Sequence, residues 1–191
     1  MSDYPPPPPS QGGYGAPPPP LGQPRPGELM DRFLARLIDG VLLGIVYVIL
    51  FSIFVAILVS DRTYNVESGD YEGGSRFLFG VVFGLVAGAL SLGYYAFMES
   101  SRGATIGKQV MKLKVVGPDG VSNPTLEQAA KRNIFTAAPL GYVVPFVGPA
   151  IAGLAALVGE ILIAVGINND PVRRQAWHDS FAGGTQVLKV G

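Results

Sequence analysis

Apolar side chains gather into three long blocks, separated by two polar loops of opposite character. Gly40–Val59 runs for twenty residues without a charge, and Phe77–Met98 is a second uncharged stretch of similar length. Either suffices for a helix to cross a hydrocarbon core of about 30 Å. Ile134–Ile167 is the third block, with Glu160 as its only charge. As one straight helix its 34 residues would reach about 51 Å, too far for one crossing. Pro139, Pro145 and the Gly148-Pro149 pair interrupt it, since proline removes a backbone donor and clashes with the turn before it. The pattern predicts helices at about 37–59, 77–98, 134–147 and 150–167, the third short and proline-broken.

The loops orient these helices. Segment 60–76 has two basic residues, Arg62 and Arg76, beside four acidic ones. Segment 99–133 carries Arg102, Lys108, Lys112, Lys114, Lys131 and Arg132. Arg25, Arg32 and Arg36 precede the first block, and Arg173, Arg174 and Lys189 follow the last. Basic loops stay in the cytoplasm, which predicts cytoplasmic flanks, an external 60–76 loop and an even number of crossings. Four crossings meet that condition; three, with an external C-terminus, are the alternative. Within 99–133, Met111–Val115 alternates apolar and basic residues as a half-buried strand does. Gly117-Pro118-Asp119-Gly120 is a turn, and Thr125 with Gln128 forms a capping box that opens a helix. Thr185–Val190 reads as a second strand, and the two are expected to pair as a small cytoplasmic sheet.

Composition adds limits. Of the 191 residues 48% are hydrophobic and 15% charged, against about 25% charge in soluble domains. Net charge is zero, so nothing points to nucleic acid. The absence of cysteine excludes disulfides and thiolate metal sites, and one histidine excludes a histidine-rich metal centre. Neither a metal nor another cofactor is expected. Residues 1–28 hold the runs Pro5–Pro9 and Pro17–Pro20 and are expected to be a disordered cytoplasmic tail, leaving 29–191 as the membrane domain. Such a tail serves as a solvated spacer or as a ligand for a partner's aromatic groove. It lacks the basic and apolar regions of a cleaved leader, so the first helix is expected to be an uncleaved signal anchor.

Charges inside a membrane helix are costly and usually have partners or a task. Arg32, Arg36 and Asp39 fall within an arc of about 60° on one helix face. They suit a ligand or ion site, or a simple Arg36–Asp39 pair one turn apart. Glu160 lies mid-way along the last helix, on a ridge with Ala152, Ala156 and Ala164. It suits a proton or cation carrier, or a protonated carboxyl bonded to a neighbouring helix. Gly80, Gly84 and Gly88 form a ridge for close packing, inside the bundle or against a second copy. Gly103–Lys108 resembles a phosphate loop but is one residue short, and Gln109 replaces the metal-binding hydroxyl. Nucleotide binding is rejected, and Lys108, Lys112 and Lys114 are read as contacts to anionic headgroups. His178-Asp179 suits a proton relay or a local turn. No nucleophile, base and orienter occur together, so no enzyme is expected.

The residues Arg32-Phe-Leu-Ala35-Arg-Leu-Ile-Asp39 resemble the opening motif of the RDD family of bacterial membrane proteins. Thr105–Val116 resembles its cytoplasmic segment, Arg132-Asn133 the start of its next helix, and Arg173–Thr185 its closing motif. By position Arg32 and Asp39 match the first two name-giving residues and Asp179 the third. With its proline-rich leader the chain is similar to proline-rich antigens that carry this domain. The resemblance implies a multi-pass protein of the bacterial cell membrane with a transport-related role, sodium/proton antiport being reported for some members. The expected fold is an all-α polytopic bundle of about four crossings with a small cytoplasmic β element. The expected site comprises Arg32, Arg36, Asp39, Glu160 and Asp179, exchanging a cation and protons. The rival is a non-transporting scaffold that assembles through the glycine ridge and recruits partners through its tail.

Overall fold

A computed structural model describes residues 24–60, 63–144 and 147–191. Three helices are long and apolar enough to cross a membrane: α1 (Leu29–Leu58), α2 (Arg76–Arg102) and, late in the chain, Gly148–Asn169. At 1.5 Å per residue they measure about 45, 40 and 33 Å. Their outer faces carry bare apolar side chains such as Val48, Ile57, Phe97 and Leu154, as lipid-facing surfaces do. A hairpin of β2 (Thr63–Asn65) and β3 (Asp70–Glu72) links α1 to α2. Ser75 caps α2 by accepting the Leu78 amide, and Gly103 ends it in the left-handed region at φ 70°.

Two of these helices exceed the predicted ranges. α1 starts eight residues early, because its charged first turns find partners elsewhere in the fold. α2 likewise continues past Met98 through Glu99 to Arg102.

Beyond α2 come α3 (Ile106–Val110), β4 (Leu113–Val116) and α4 (Leu126–Arg132). The Thr125–Gln128 capping box is formed in both directions. The predicted helix at 134–147 is instead a 3-10 segment, Ile134–Val143. Pro139 lies within it and has no amide to donate. At about 2 Å per residue its ten residues span only about 20 Å. Gly148–Asn169, here α5, then returns alongside it. Gly141 and Gly148 meet there, so a Cβ on Gly141 would lie 2.6 Å from that of Ala152.

The glycine ridge of α2 is occupied from within. Gly80, Gly84 and Gly88 are buried, and a Cβ at Gly84 would lie 3.1 Å from Pro139 O, Tyr142 Cβ and Val143 N. The 3-10 segment fills that groove, with Tyr142 set edge-on to Phe83 at 5.1 Å. This removes the ridge as a homo-oligomer contact. The sequence left the two uses open because an irregular segment carries no helical packing signature.

After α5, α6 (Trp177–Phe181) leads into β5 (Gln186–Lys189). β5 pairs antiparallel with β4, Val115 opposite Val187, as the alternation predicted. On its other edge it pairs with β1 (Arg25–Pro26), giving the order β1-β5-β4. Folded chain thus begins before residue 28, and the tail boundary moves back accordingly. Residues 1–23, with both proline runs, lie outside the described residues. Ala35, Leu113, Val115 and Val187 form a core between this sheet and α1.

Ion pairs fix the relative direction of the segments. Arg32 near the start of α1 meets Asp179 after α5, and Glu99 near the end of α2 meets Arg132 before the 3-10 segment. Both flanks and the 99–133 loop therefore share one end, with the β2–β3 hairpin at the far end of α1 and α2. A C-terminal flank at the opposite end does not fit this geometry.

Candidate functional site

Asp39 is buried, with 1% of its surface exposed, and three donors reach it. Tyr94 Oη donates to Oδ1 at 2.7 Å, Thr105 Oγ1 to Oδ2 at 2.6 Å, and the Gly107 amide to Oδ1 at 2.7 Å. Thr105 also caps α3 by accepting the Lys108 amide at 3.3 Å. α3 can approach this closely only because residue 107 is glycine. A Cβ there would lie 2.9 Å from Asp39 Cγ and from Ala35 C, and closer still to Ala35 O. The loop that imitates a phosphate cradle holds this chain's own carboxylate.

Arg36 does not pair with Asp39. Its guanidinium lies over the Tyr95 ring at 4.2 Å and the Phe135 ring at 4.7 Å. Aromatic faces attract the cation and leave its edges free for other acceptors.

A second cluster joins four segments. Glu99 accepts from Lys108 Nζ and from Asn133 Nδ2 at 2.9 Å, and lies 3.5 Å from Arg132 Nε. Arg132 donates through Nη1 to Asp179 Oδ1 and to Thr185 Oγ1 at 3.2 Å. Asp179 further accepts from Thr185 Oγ1 at 3.1 Å and from the Ala176 amide at 3.1 Å. Such paired charges are tolerated in a dry interior because each remaining lone pair finds a donor. Lys108 belongs to this cluster and is almost wholly enclosed, so it is not the headgroup contact predicted for it. Burial holds its ammonium below the usual lysine value, against the pull of Glu99. Lys112 is exposed and Lys114 half-buried.

Arg32 completes the ring. Its Nε donates to Gly27 O at 3.1 Å and its Nη2 to Arg174 O at 2.8 Å. Nη1 lies 3.7 Å from Asp179 Oδ2, beyond hydrogen-bond reach, and has no acceptor among the described residues. The same holds for His178 Nδ1, at 3.8 Å from Asp179 Oδ2. The His178-Asp179 relay is therefore not formed. His178 instead sits among Phe135 and Trp177. Burial first, then Arg132 and Arg32, hold it well below the usual histidine value, so it is neutral.

These groups surround a pocket of about 150 Å³ between α1, α5 and α6. Arg32, Arg36, Lys108 and Arg132 line it with His178, Asn133 and Asp39, and Glu160 stands at its edge. Glu160 is exposed and makes no ion pair among the described residues, so the partner predicted for it within the bundle is not formed. Its neighbour Gly159 is the residue covered there, accepting from Trp177 Nε1 at 3.2 Å through its carbonyl.

A model of the RDD family matches residues 26–183. The chain belongs to the RDD family. With its apolar helices, this makes it a membrane protein. Comparison with the curated proteins and with the solved structures found no match. Within this RDD domain Arg32 and Asp179 meet directly, while Asp39 is held separately by α2 and α3. Glu99, Tyr94 and Asn133 complete the site and escape sequence reasoning. Glu99 follows an uncharged stretch and looks like an ordinary interfacial charge.

Proposed function

We propose that this RDD protein has a transport-related role in the bacterial cell membrane, with its termini and sheet in the cytoplasm. The basic 99–133 loop and flanks support that orientation. One observation carries the role: a pocket at the charged end of the bundle, where Glu160 is a carboxylate without an ion-pair partner facing four basic side chains. Asp39 has its oxygens taken by three donors and is read as a structural latch rather than an exchanging group. Glu160 inherits the proton-exchanging role. Arg32, Arg36, Lys108 and Arg132 repel a metal cation, so the pocket favours an anionic solute moving with a proton over sodium/proton exchange. Protonation of Glu160 removes the one negative charge at the entrance. The protein is read as a carrier, not an enzyme.

The test is proton and sodium flux in liposomes holding the purified chain, with and without organic anions outside. The expected result is anion-dependent proton uptake that Glu160→Gln abolishes. Sodium-driven flux, or full flux in Glu160→Gln, would refute it. The scaffold alternative loses its assembly ridge to the 3-10 segment and keeps only the proline-rich tail. Lys112 and Lys114 remain as headgroup contacts under either reading.

A further inference from the structure

The pocket gives its own account of what it holds. Most of its wall is apolar: Phe33 on α1, and Ile163, Ala164 and Ile167 on α5. Phe33 is 58% exposed, so the opening lies on the outer face of the bundle, where α1 and α5 meet lipid. Two polar atoms break this apolar lining. Arg32, with a side chain 9% exposed, presents Nη1; His178, with a side chain 6% exposed, presents Nδ1. Neither has a hydrogen-bond partner among the described residues. A buried donor without an acceptor is costly, and one on a guanidinium more so.

Size narrows the occupant. A dry cavity of about 150 Å³ admits a benzene-sized molecule. That accommodates a small head and a few carbons, with the remainder of a chain emerging into the bilayer. Two donors on separate side chains suit two oxygens of one planar group, and guanidinium suits carboxylate best. A two-chain phospholipid exceeds the volume at the point where its head would have to enter.

We infer that this pocket binds a single-chain amphiphilic carboxylate, its head between Arg32 Nη1 and His178 Nδ1 and its chain along Phe33, Ile163, Ala164 and Ile167. The neutral imidazole donates from its Nδ1–H tautomer. The competing carboxylates do not occupy that place: Asp39 faces its three donors, Asp179 faces Arg132, and Glu160 stands at the edge. This deepens the transport reading, and rests on it only for the fate of the bound acid.

Trp177 is the single tryptophan, with its ring 6.1 Å from that of His178, so it reports on the pocket directly. The full chain in neutral detergent is titrated with 2-bromohexadecanoate, whose bromine sits beside the carboxylate and quenches indole fluorescence. Saturable quenching is expected, absent with the methyl ester and displaced by unlabelled hexadecanoate. Arg32→Gln should weaken binding at least about tenfold, the loss of one charge-assisted hydrogen bond. Should Arg32→Gln fail to fold, Ala164→Phe decides, because it fills the chain site without touching the ion pairs. Linear quenching that is equal in wild type and Ala164→Phe overturns the inference. So does equal binding of the methyl ester, or saturable quenching by brominated phosphatidylglycerol and not by the free acid. Acid binding without any flux in liposomes counts against the transport reading alone, and anion flux without acid binding overturns this inference alone.

Discussion

Gly107→Ala is the sharpest test of how the charged face of α1 is held. The added methyl would lie 2.9 Å from Ala35 C and Asp39 Cγ, and nearer still to the Ala35 carbonyl oxygen. Backbone cannot yield as a flexible side chain can, so α3 must withdraw. Overpacking of this kind costs about 1–3 kcal/mol. Withdrawal also stretches the Gly107 N–H bond to Asp39, now 2.7 Å, and hydrogen bonds to charged groups contribute about 1.5–3 kcal/mol. The sum, about 3–6 kcal/mol, is a large part of the 5–15 kcal/mol that typically holds a domain. For a chain of this size it corresponds to a fall in melting temperature of roughly 10 °C or more. The assay is thermal unfolding of detergent-purified protein, followed by size exclusion of the heated sample. Gly93→Ala is the control: it lies on α2 with nothing within 4 Å of the methyl it would gain, and should match or slightly exceed wild type. A Gly107→Ala protein melting within about 2 °C of wild type would refute the latch.

Further outcomes follow from the same contacts. Asp179→Asn leaves Arg132 and Arg32 facing an uncharged group in a buried cluster and should cost about 3–5 kcal/mol, whereas Glu160→Gln should stay within about 0.5 kcal/mol; chemical unfolding of both checks this. Gly84→Leu should cost about 3 kcal/mol or more by expelling the 3-10 segment, with no change of oligomeric state by light scattering. His178 is neutral when folded, but its unfolded form takes up a proton below about pH 6.5. The unfolded state then binds more protons, so stability falls as pH drops from 6.5, by up to about 1.4 kcal/mol per unit. Melting temperature against pH should show that slope, flattened in His178→Gln.

The apolar blocks announced α1, α2 and α5, and the alternation at Met111–Val115 announced the pairing of β4 with β5, because both signals are local. The capping box at Thr125 is equally local. What the chain hid was the partner of each charge. Asp39 and Arg36 are one helical turn apart and look like a pair, yet Tyr94, Thr105 and Gly107 take the carboxylate from 55 to 68 residues away. Arg32 meets Asp179 and Arg174 across more than 140 positions. Lys108 sits in a basic loop and reads as a surface lysine until α2 brings Glu99 beside it. Glu160 misled in the other direction. Its place mid-way along an apolar helix implied enclosure, but the helix presents that side outward at the pocket edge.

The strand order β1-β5-β4 sets a sequence of events for biogenesis. Its middle member follows every membrane helix in the chain, so the two outer strands wait without a neighbour until Gln186–Lys189 emerges. Asp179 arrives only shortly before it, which leaves Arg132 and Arg32 uncompensated while the helices are already entering lipid. The finished domain is thus clasped last, at its membrane surface, by the final residues to be translated. Ribosome-stalled chains ending before residue 179 should therefore be inserted yet remain open to protease at the loop between α3 and α4.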